Sequence, residues 1–211
     1  MAAASTLGIL RRVEQVWPSD NTEAFDRLTI QQGFTYAYTP HVMMAWVTDV
    51  PNFNGRSVPL QFRFLVAMQG SLAIGANLNQ WQQGDFALAK QMIGYYKSIR
   101  ETVQNGELYR LTPPADTNFK ASQYVSPDRS QSVVFAFLHS QQFGQALPPL
   151  TLQGLDEKAS YSVTVFDGKS RPNGATLPAK LSGAYLMHRG MVLPLTGDYD
   201  ATSIKLARVA D

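Results

Sequence analysis

The chain predicts an α/β segment followed by an all-β domain, and three observations carry that fold class. Up to residue 105, apolar residues recur three or four apart, the spacing of helices that bury one stripe. Short apolar runs alternate with those helices, as strands do in parallel α/β units. Beyond residue 105 the runs shorten and alternate, and Gly, Pro, Asn and Asp separate them, the texture of an antiparallel sandwich of roughly 100 residues.

The elements follow in order. Met1 to Thr6 has no basic stretch leading into an apolar one, so it is not a signal peptide, and it is expected to be a non-native or disordered start. Residues 7–104 then form the α/β part. Val13 to Trp17 reads as a strand leading into a helix over Asn21 to Gln32, with Gly33 as its stop. Val42 to Val47 reads as the next strand, and Leu60 to Met68, after Pro59, as the next helix. A long helix begins at Asp85 as N-cap and ends at Gly106, with Phe86, Ala89, Ile93, Tyr96, Ile99 and Val103 on its buried stripe. Two βα units cannot cover both faces of a parallel sheet, so part of this domain is expected to lie outside the chain. In residues 105–211, strands are expected at Ser132 to Leu138, Tyr161 to Phe166, Gly183 to Met187 and Ser203 to Val209. The breaks fall at Pro113-Pro114, Pro127-Asp128, Asp167-Gly168, Pro172-Asn173-Gly174 and Gly197-Asp198.

Composition narrows the function classes. The chain has 211 residues, 45% of them hydrophobic, enough for one large core or two small ones. A formal net charge of +2, with 18 scattered Lys and Arg, gives no basic face for nucleic acid. Absence of cysteine removes thiol catalysis and cysteine metal sites. No apolar run approaches the roughly 20 residues that span a membrane.

The sharpest local feature is Trp17-Pro18-Ser19-Asp20-Asn21-Thr22-Glu23, between a predicted strand end and a helix start. Loops at that end of parallel strands are where α/β active sites assemble. A tryptophan beside a carboxylic acid suits sugar chemistry, the ring stacking on a pyranose while the acid serves the glycosidic oxygen. A structural reading stands beside it: Asp20 to Glu23 matches a capping box, with Trp17 packed on the first turn, and spacing alone favours that reading. Asp49, Asn52 and Arg56 follow the second strand and could line the rim of a site, though an ordinary polar loop explains them as well. His41, His139 and His188 lie far apart and hold no metal-ligand spacing. Ser71 and Ser182 lack a nucleophile elbow, Gly183 to Gly190 matches no phosphate-binding loop, and Tyr95-Tyr96 reads as core.

Four segments, in order, resemble glycoside hydrolase family 36, the α-galactosidases: LGILRRVEQVWPSDNTEAFDRLTIQQGFTYAYTP (Leu7 to Pro40), VPNFNGRSVPLQFRFLVAMQGSLAIGANL (Val50 to Leu78), YYKSIRETVQNGELYRL (Tyr95 to Leu111) and SGAYLMHRGMVLPLTGDYDA (Ser182 to Ala201). The resemblance covers nearly the whole chain from Leu7. It implies the C-terminal part of a (β/α)8 catalytic barrel followed by a small antiparallel β-domain. It implies a retaining reaction on terminal α-galactosides of the melibiose and raffinose type. Asp20 is then the general acid/base, and Trp17 and Ser19 bind substrate; no cofactor or metal is expected. Family members usually carry Asp where this chain has Glu23.

The family's nucleophile motif, its glycine-rich S-S-G-G-G-R segment and its N-terminal β-domain have no counterpart in this sequence. The expected partner is therefore the missing N-terminal part of the enzyme, besides the α-galactoside itself; a homo-oligomer in the cytoplasm is expected, without nucleic acid or membrane. The chain alone is expected to be inactive and, with barrel edges uncovered, to self-associate. Two alternatives remain: a galactosyltransferase of the raffinose-synthase type, and a non-enzymatic sugar-binding or assembly module in which Tyr109, Tyr124 and Tyr161 are the candidate contacts.

Overall fold

The structure, a computed structural model, describes residues 7–20, 22–113, 116–141, 143, 146–166 and 177–210. The predicted start at Met1 to Thr6 and the breaks at Asp167-Gly168 and Pro172-Asn173-Gly174 lie outside the described residues. The chain forms two compact units, Met1–Arg100 and Glu101–Asp211.

The first unit is built on parallel strands. β1 (Met44–Val47) pairs with β2 (Ser71–Ile74) in register from Met44↔Ser71 to Val47↔Ile74. Val16 adds a third parallel segment through a bridge to Met43, with Val16 N donating to Val42 O at 2.7 Å and Met44 N to Val16 O at 3.0 Å. The strand expected at Val13 to Trp17 is therefore reduced to one bridge, because Val13, Glu14 and Gln15 are exposed and bury nothing. No predicted element covers SLAI, which sits between Gly70 and Gly75 and forms β2. α1 (Ala24–Phe34) and α2 (Leu60–Ala67) follow Val16 and β1. Every residue of α2 is buried, including Gln61 and Arg63, so this helix is enclosed on all sides. α3 (Gln83–Asn105) begins two residues before Asp85, whose carboxylate accepts from Gln82 N at 2.9 Å. Its predicted stripe is buried at Ala89, Tyr96, Ile99 and Val103, joined by Met92 and Tyr95, while Phe86 is 48% exposed.

The second unit holds β3 (Glu107–Arg110), β4 (Phe119–Val125), β5 (Gln131–Leu138), β6 (Ser160–Phe166), β7 (Lys180–Ser182) and β8 (Asp200–Arg208). Together they make one antiparallel sheet in the order β3-β4-β5-β8-β6-β7. The sequence predicts two packed sheets; among the described residues there is one. Its core forms where Phe119, Val134, Ala136, Tyr161, Ile204 and Leu206 meet Leu150, Leu152, Leu155, Met191, Leu193 and Leu195 from the connecting segments, which take the place of a second sheet. Gly183 to Met187, expected as a strand, is a helix, α4 (Gly183–His188). Ser182 caps it, its hydroxyl accepting from Tyr185 N at 3.2 Å, and Leu186 points into the core.

Candidate active site

Three parallel segments run side by side, and residues on them and beyond their carboxyl ends make one cleft. Trp17 and Asp20 follow Val16; Met44, Trp46 and Asp49 come from β1 and its exit; Ala73, Ile74 and Gly75 come from β2 and its exit. These eight residues line an open cleft of about 350 Å³. Its position beyond the carboxyl ends of parallel strands is the general site of ligand binding in α/β sheets.

The walls are fixed from several directions. Trp17 is 59% exposed, but its indole N–H donates to Met44 Sδ at 3.1 Å. Its ring meets that of Trp46 edge-on, centroids 4.6 Å apart at 71°. The guanidinium of Arg27 lies over the same Trp46 ring, 5.0 Å from its centroid. Arg27 Nη2 donates to Asp20 O at 2.7 Å and to Thr22 O at 3.3 Å. Burial pulls the Arg27 guanidinium down to about 10, against the opposing pull of the Asp20 carboxylate. Asp49 accepts Asn77 N on both oxygens, at 3.0 and 2.9 Å, tying the exit of β1 to that of β2. Gly75 N donates to Val47 O at 2.9 Å, closing the same seam.

The helix start shows which residue of Asp20-Asn21-Thr22-Glu23 caps α1. α1 begins at Ala24, and its N-cap is Glu23, whose carboxylate accepts from Phe25 N at 2.8 Å and Asp26 N at 3.1 Å. Glu23 is 2% exposed and also holds Arg56 Nη1 at 2.6 Å. The expected helix start at Asn21 is thus displaced by three residues, and the helix runs past Gly33 to Phe34. With capping done by Glu23, the side chain of Asp20 is exposed and lines the cleft.

The structure brings Asp20 and Trp17 together and separates Ser19 from them. Ser19 is half-buried, its hydroxyl oxygen sealed from solvent without a hydrogen-bond partner among the described residues, and it does not line the cleft. It presents no hydroxyl to a ligand there. Of the three rim candidates, Asp49 lines the cleft, whereas Asn52 is buried and Arg56 pairs with Glu23. Met44, Trp46 and the β2 residues were not expected; their signal was position at strand ends, which needed β2 to be recognised. Tyr124 and Tyr161, weighed as sugar contacts, are buried, and Tyr109 is packed against the core with its hydroxyl donating to Glu107 Oε2 at 2.7 Å. The three histidines sit apart, contacting Thr39, Tyr199 and Glu157 respectively. No group of three or more His, Asp or Glu that could hold a metal occurs among the described residues. Nor, among those residues, is any helix long and apolar enough to cross a membrane.

Comparison with known proteins matches residues 3–106 to the Melibiase family and residues 120–206 to the glycosyl hydrolase family 36 C-terminal domain. The chain is 42% identical over 171 residues to alpha-galactosidase C of Emericella nidulans, covering 81% of this chain and 22% of that protein. Among solved structures, it is similar to the family 36 alpha-galactosidase AgaB of Geobacillus stearothermophilus, with a TM-score of 0.85 and 33% identity over 96% of this chain and 27% of that one. It is equally similar to a variant of AgaA from the same organism in complex with raffinose, with a TM-score of 0.85 and 32% identity over the same shares. The chain thus spans about a quarter of the length of these relatives.

Proposed function

The chain belongs to glycosyl hydrolase family 36, and on that premise we propose that it carries the acid/base half of a retaining α-galactosidase active site, in the C-terminal part of a (β/α)8 barrel. The observation that carries the reading is the exposed Asp20 carboxyl in a cleft walled by Trp17 and Trp46, relieved of helix capping by Glu23. A carboxylic acid there donates its proton to the departing glycosidic oxygen; as a carboxylate it then takes a proton from the water that releases the sugar. The exposed indole of Trp17 offers the apolar face on which a galactose ring stacks. A retaining reaction needs a second carboxylate about 5–5.5 Å from the first, acting as nucleophile. We assign that group to residues outside 1–211, in keeping with a match to about a quarter of each relative. Terminal α-galactosides of the raffinose type are the proposed substrates, supported by the AgaA complexes with raffinose and with stachyose.

The test grafts residues 7–211 into Geobacillus AgaA in place of the segment they match. The graft is expected to hydrolyse raffinose, and Asp20→Asn to lower that rate on the order of 10³-fold, within the usual range for general acid–base catalysis. An aryl galactoside that releases an acidic dinitrophenol needs little protonation, so its kcat/KM, which reports formation of the glycosyl-enzyme, is expected to fall far less, while its kcat falls with the missing base. Raffinose turnover within tenfold of the unsubstituted graft would overturn the role of Asp20. The isolated chain is expected to release no nitrophenol from nitrophenyl α-galactoside. Release abolished by Asp20→Asn would place the nucleophile within 1–211 after all.

A further inference from the structure

Two helices of the first unit, α1 and α2, each send a buried arginine back to the strand exit that precedes them. Arg27 is the fourth residue of α1 and donates to the carbonyl of Asp20 at 2.7 Å. Arg63 is the fourth residue of α2 and donates to the carbonyl of Thr48, beside Asp49, at 2.6 Å. The same side chain at the same helical position thus holds the same kind of loop twice. In each case the loop carries a carboxylate into the cleft.

From this repetition, and resting on the acid/base reading of Asp20, we infer that Arg27 is a positioning residue that sets Asp20 and Trp17 relative to each other, with Arg63 serving the Asp49 loop in the same way. Arg27 touches both walls of the cleft at once. One nitrogen grips the backbone of Asp20 and Thr22, while the guanidinium carbon lies over the Trp46 ring, 5.0 Å from its centroid, and Trp46 packs edge-on against Trp17. A planar fork that hydrogen-bonds at its edge and stacks on its face is specific to arginine; a lysine ammonium supplies a point charge only.

Filling space does not account for it. Arg27 is 1% exposed, and its Nε and Nη1 make no hydrogen bond among the described residues, a costly arrangement for a cation. An apolar side chain would fill the volume without that cost. What only the arginine supplies is a fixed Asp20 backbone. Among the described backbone bonds, those within the stretch from Trp17 to Thr22 come down to Thr22 N to Asp20 O at 2.9 Å, so the loop does not hold itself.

The experiment uses Arg27→Met and Arg27→Lys. In the chain itself, hydrogen exchange is followed at the Thr22 amide, which donates to Asp20 O, and at Met68 in the α2 C-cap, which donates to Phe64 O. Arg27→Met is expected to speed exchange at Thr22 at least tenfold while Met68 stays within twofold; equal acceleration at both, or none at Thr22, would overturn the proposal. In the AgaA graft, a misplacement near 1 Å costs on the order of 10²-fold, so raffinose hydrolysis is expected to fall by about that factor. For the dinitrophenyl substrate kcat/KM, which reports formation of the glycosyl-enzyme, is expected to fall less than about tenfold, because a misplaced acid matters little to a leaving group that needs no proton. Combined with Asp20→Asn, Arg27→Met is expected to add no further loss. Equal loss on both substrates, or additive losses, would reduce Arg27 to a structural residue. Arg27→Lys keeps a buried cation and answers the case in which the methionine variant does not fold: the proposal requires it to retain the substrate-dependent loss, and full activity on raffinose would refute the need for the fork. A harmless Asp20→Asn sinks the acid/base reading instead, whatever the exchange rates at Thr22.

Discussion

Replacing Glu23 with alanine tests which acid of the Asp20 to Glu23 stretch caps α1, and the structure sets the size of the effect. The Glu23 carboxylate satisfies two backbone donors, Phe25 N and Asp26 N. Loss of an N-cap costs about 1 kcal/mol, and the second, part-buried N–H left without its partner adds up to about 1 kcal/mol. The ion pair to Arg56 at 2.6 Å is buried on the glutamate side and 31% exposed on the arginine side. Solvent screening at the arginine and the second acid near it, Asp26 at 3.5 Å, keep that pair close to the value of an exposed one, about 1 kcal/mol. The sum is about 3 kcal/mol for Glu23→Ala. Glu23→Gln keeps an accepting oxygen but loses the charge, and about half that cost is expected. By contrast, Asp20→Ala removes an exposed side chain that caps nothing, and a change within about 0.5 kcal/mol is expected. The assay is urea denaturation followed by tryptophan fluorescence. All 3 tryptophans, Trp17, Trp46 and Trp81, lie in the first unit, so this signal reports that unit. If Glu23→Ala cost under about 0.5 kcal/mol while Asp20→Ala cost more than 1 kcal/mol, the cap would belong to Asp20. The argument for an acid available to substrate would then fail.

Two further outcomes are expected. A β-carbon on Gly75 would stand 2.9 Å from Trp46 Cδ1 and 3.3 Å from Cγ. Trp46 packs against both Trp17 and the Arg27 guanidinium, so Gly75→Ala should cost about 1–3 kcal/mol and alter the near-ultraviolet circular dichroism of the indoles; an unchanged spectrum at unchanged stability would show that Trp46 gives way. In the second unit, the Asp128 carboxyl is held down at about 2 by the Ser130 amide first and by the hydroxyls of Ser126 and Ser130 next. The folded turn therefore favours the ionised form. Its stabilising contribution is complete above the ordinary value of 3.8 and is lost as pH falls through about 2. Carbon-detected titration of that side chain should have its midpoint near 2, and a midpoint at the ordinary value would count against these hydrogen bonds.

The parts of this fold that were legible in the sequence are those where local pattern and burial coincide. α2 reads as a helix because its apolar residues follow a proline, and β5 reads as a strand because SVVFAFL is buried nearly throughout. Legibility failed where polar residues are buried but paired. β4 was not recognised because Lys120 and Gln123 interrupt its apolar run, yet Gln123 is fully enclosed, its amide bonding Ser132 Oγ at 3.0 Å and Gln153 O at 2.9 Å. GAYLM could alternate or wind, and the serine before it decided for the helix.

The site divides along the same line. Its first loop was readable because tryptophan and acid stand three residues apart in the chain. Its other walls were not, because nothing in the local sequence says that Asp49 and Gly75 lie beside Asp20. That depends on registering β1 against β2, and β2 is hidden between glycines that are there for packing: a β-carbon on Gly70 would stand 2.7 Å from Met43 O, and one on Gly75 would press into Trp46. The close approach that seats β2 against β1 is what requires those glycines, and the glycines leave only four residues between them to signal a strand. The feature that completes the cleft is therefore the same one that concealed it.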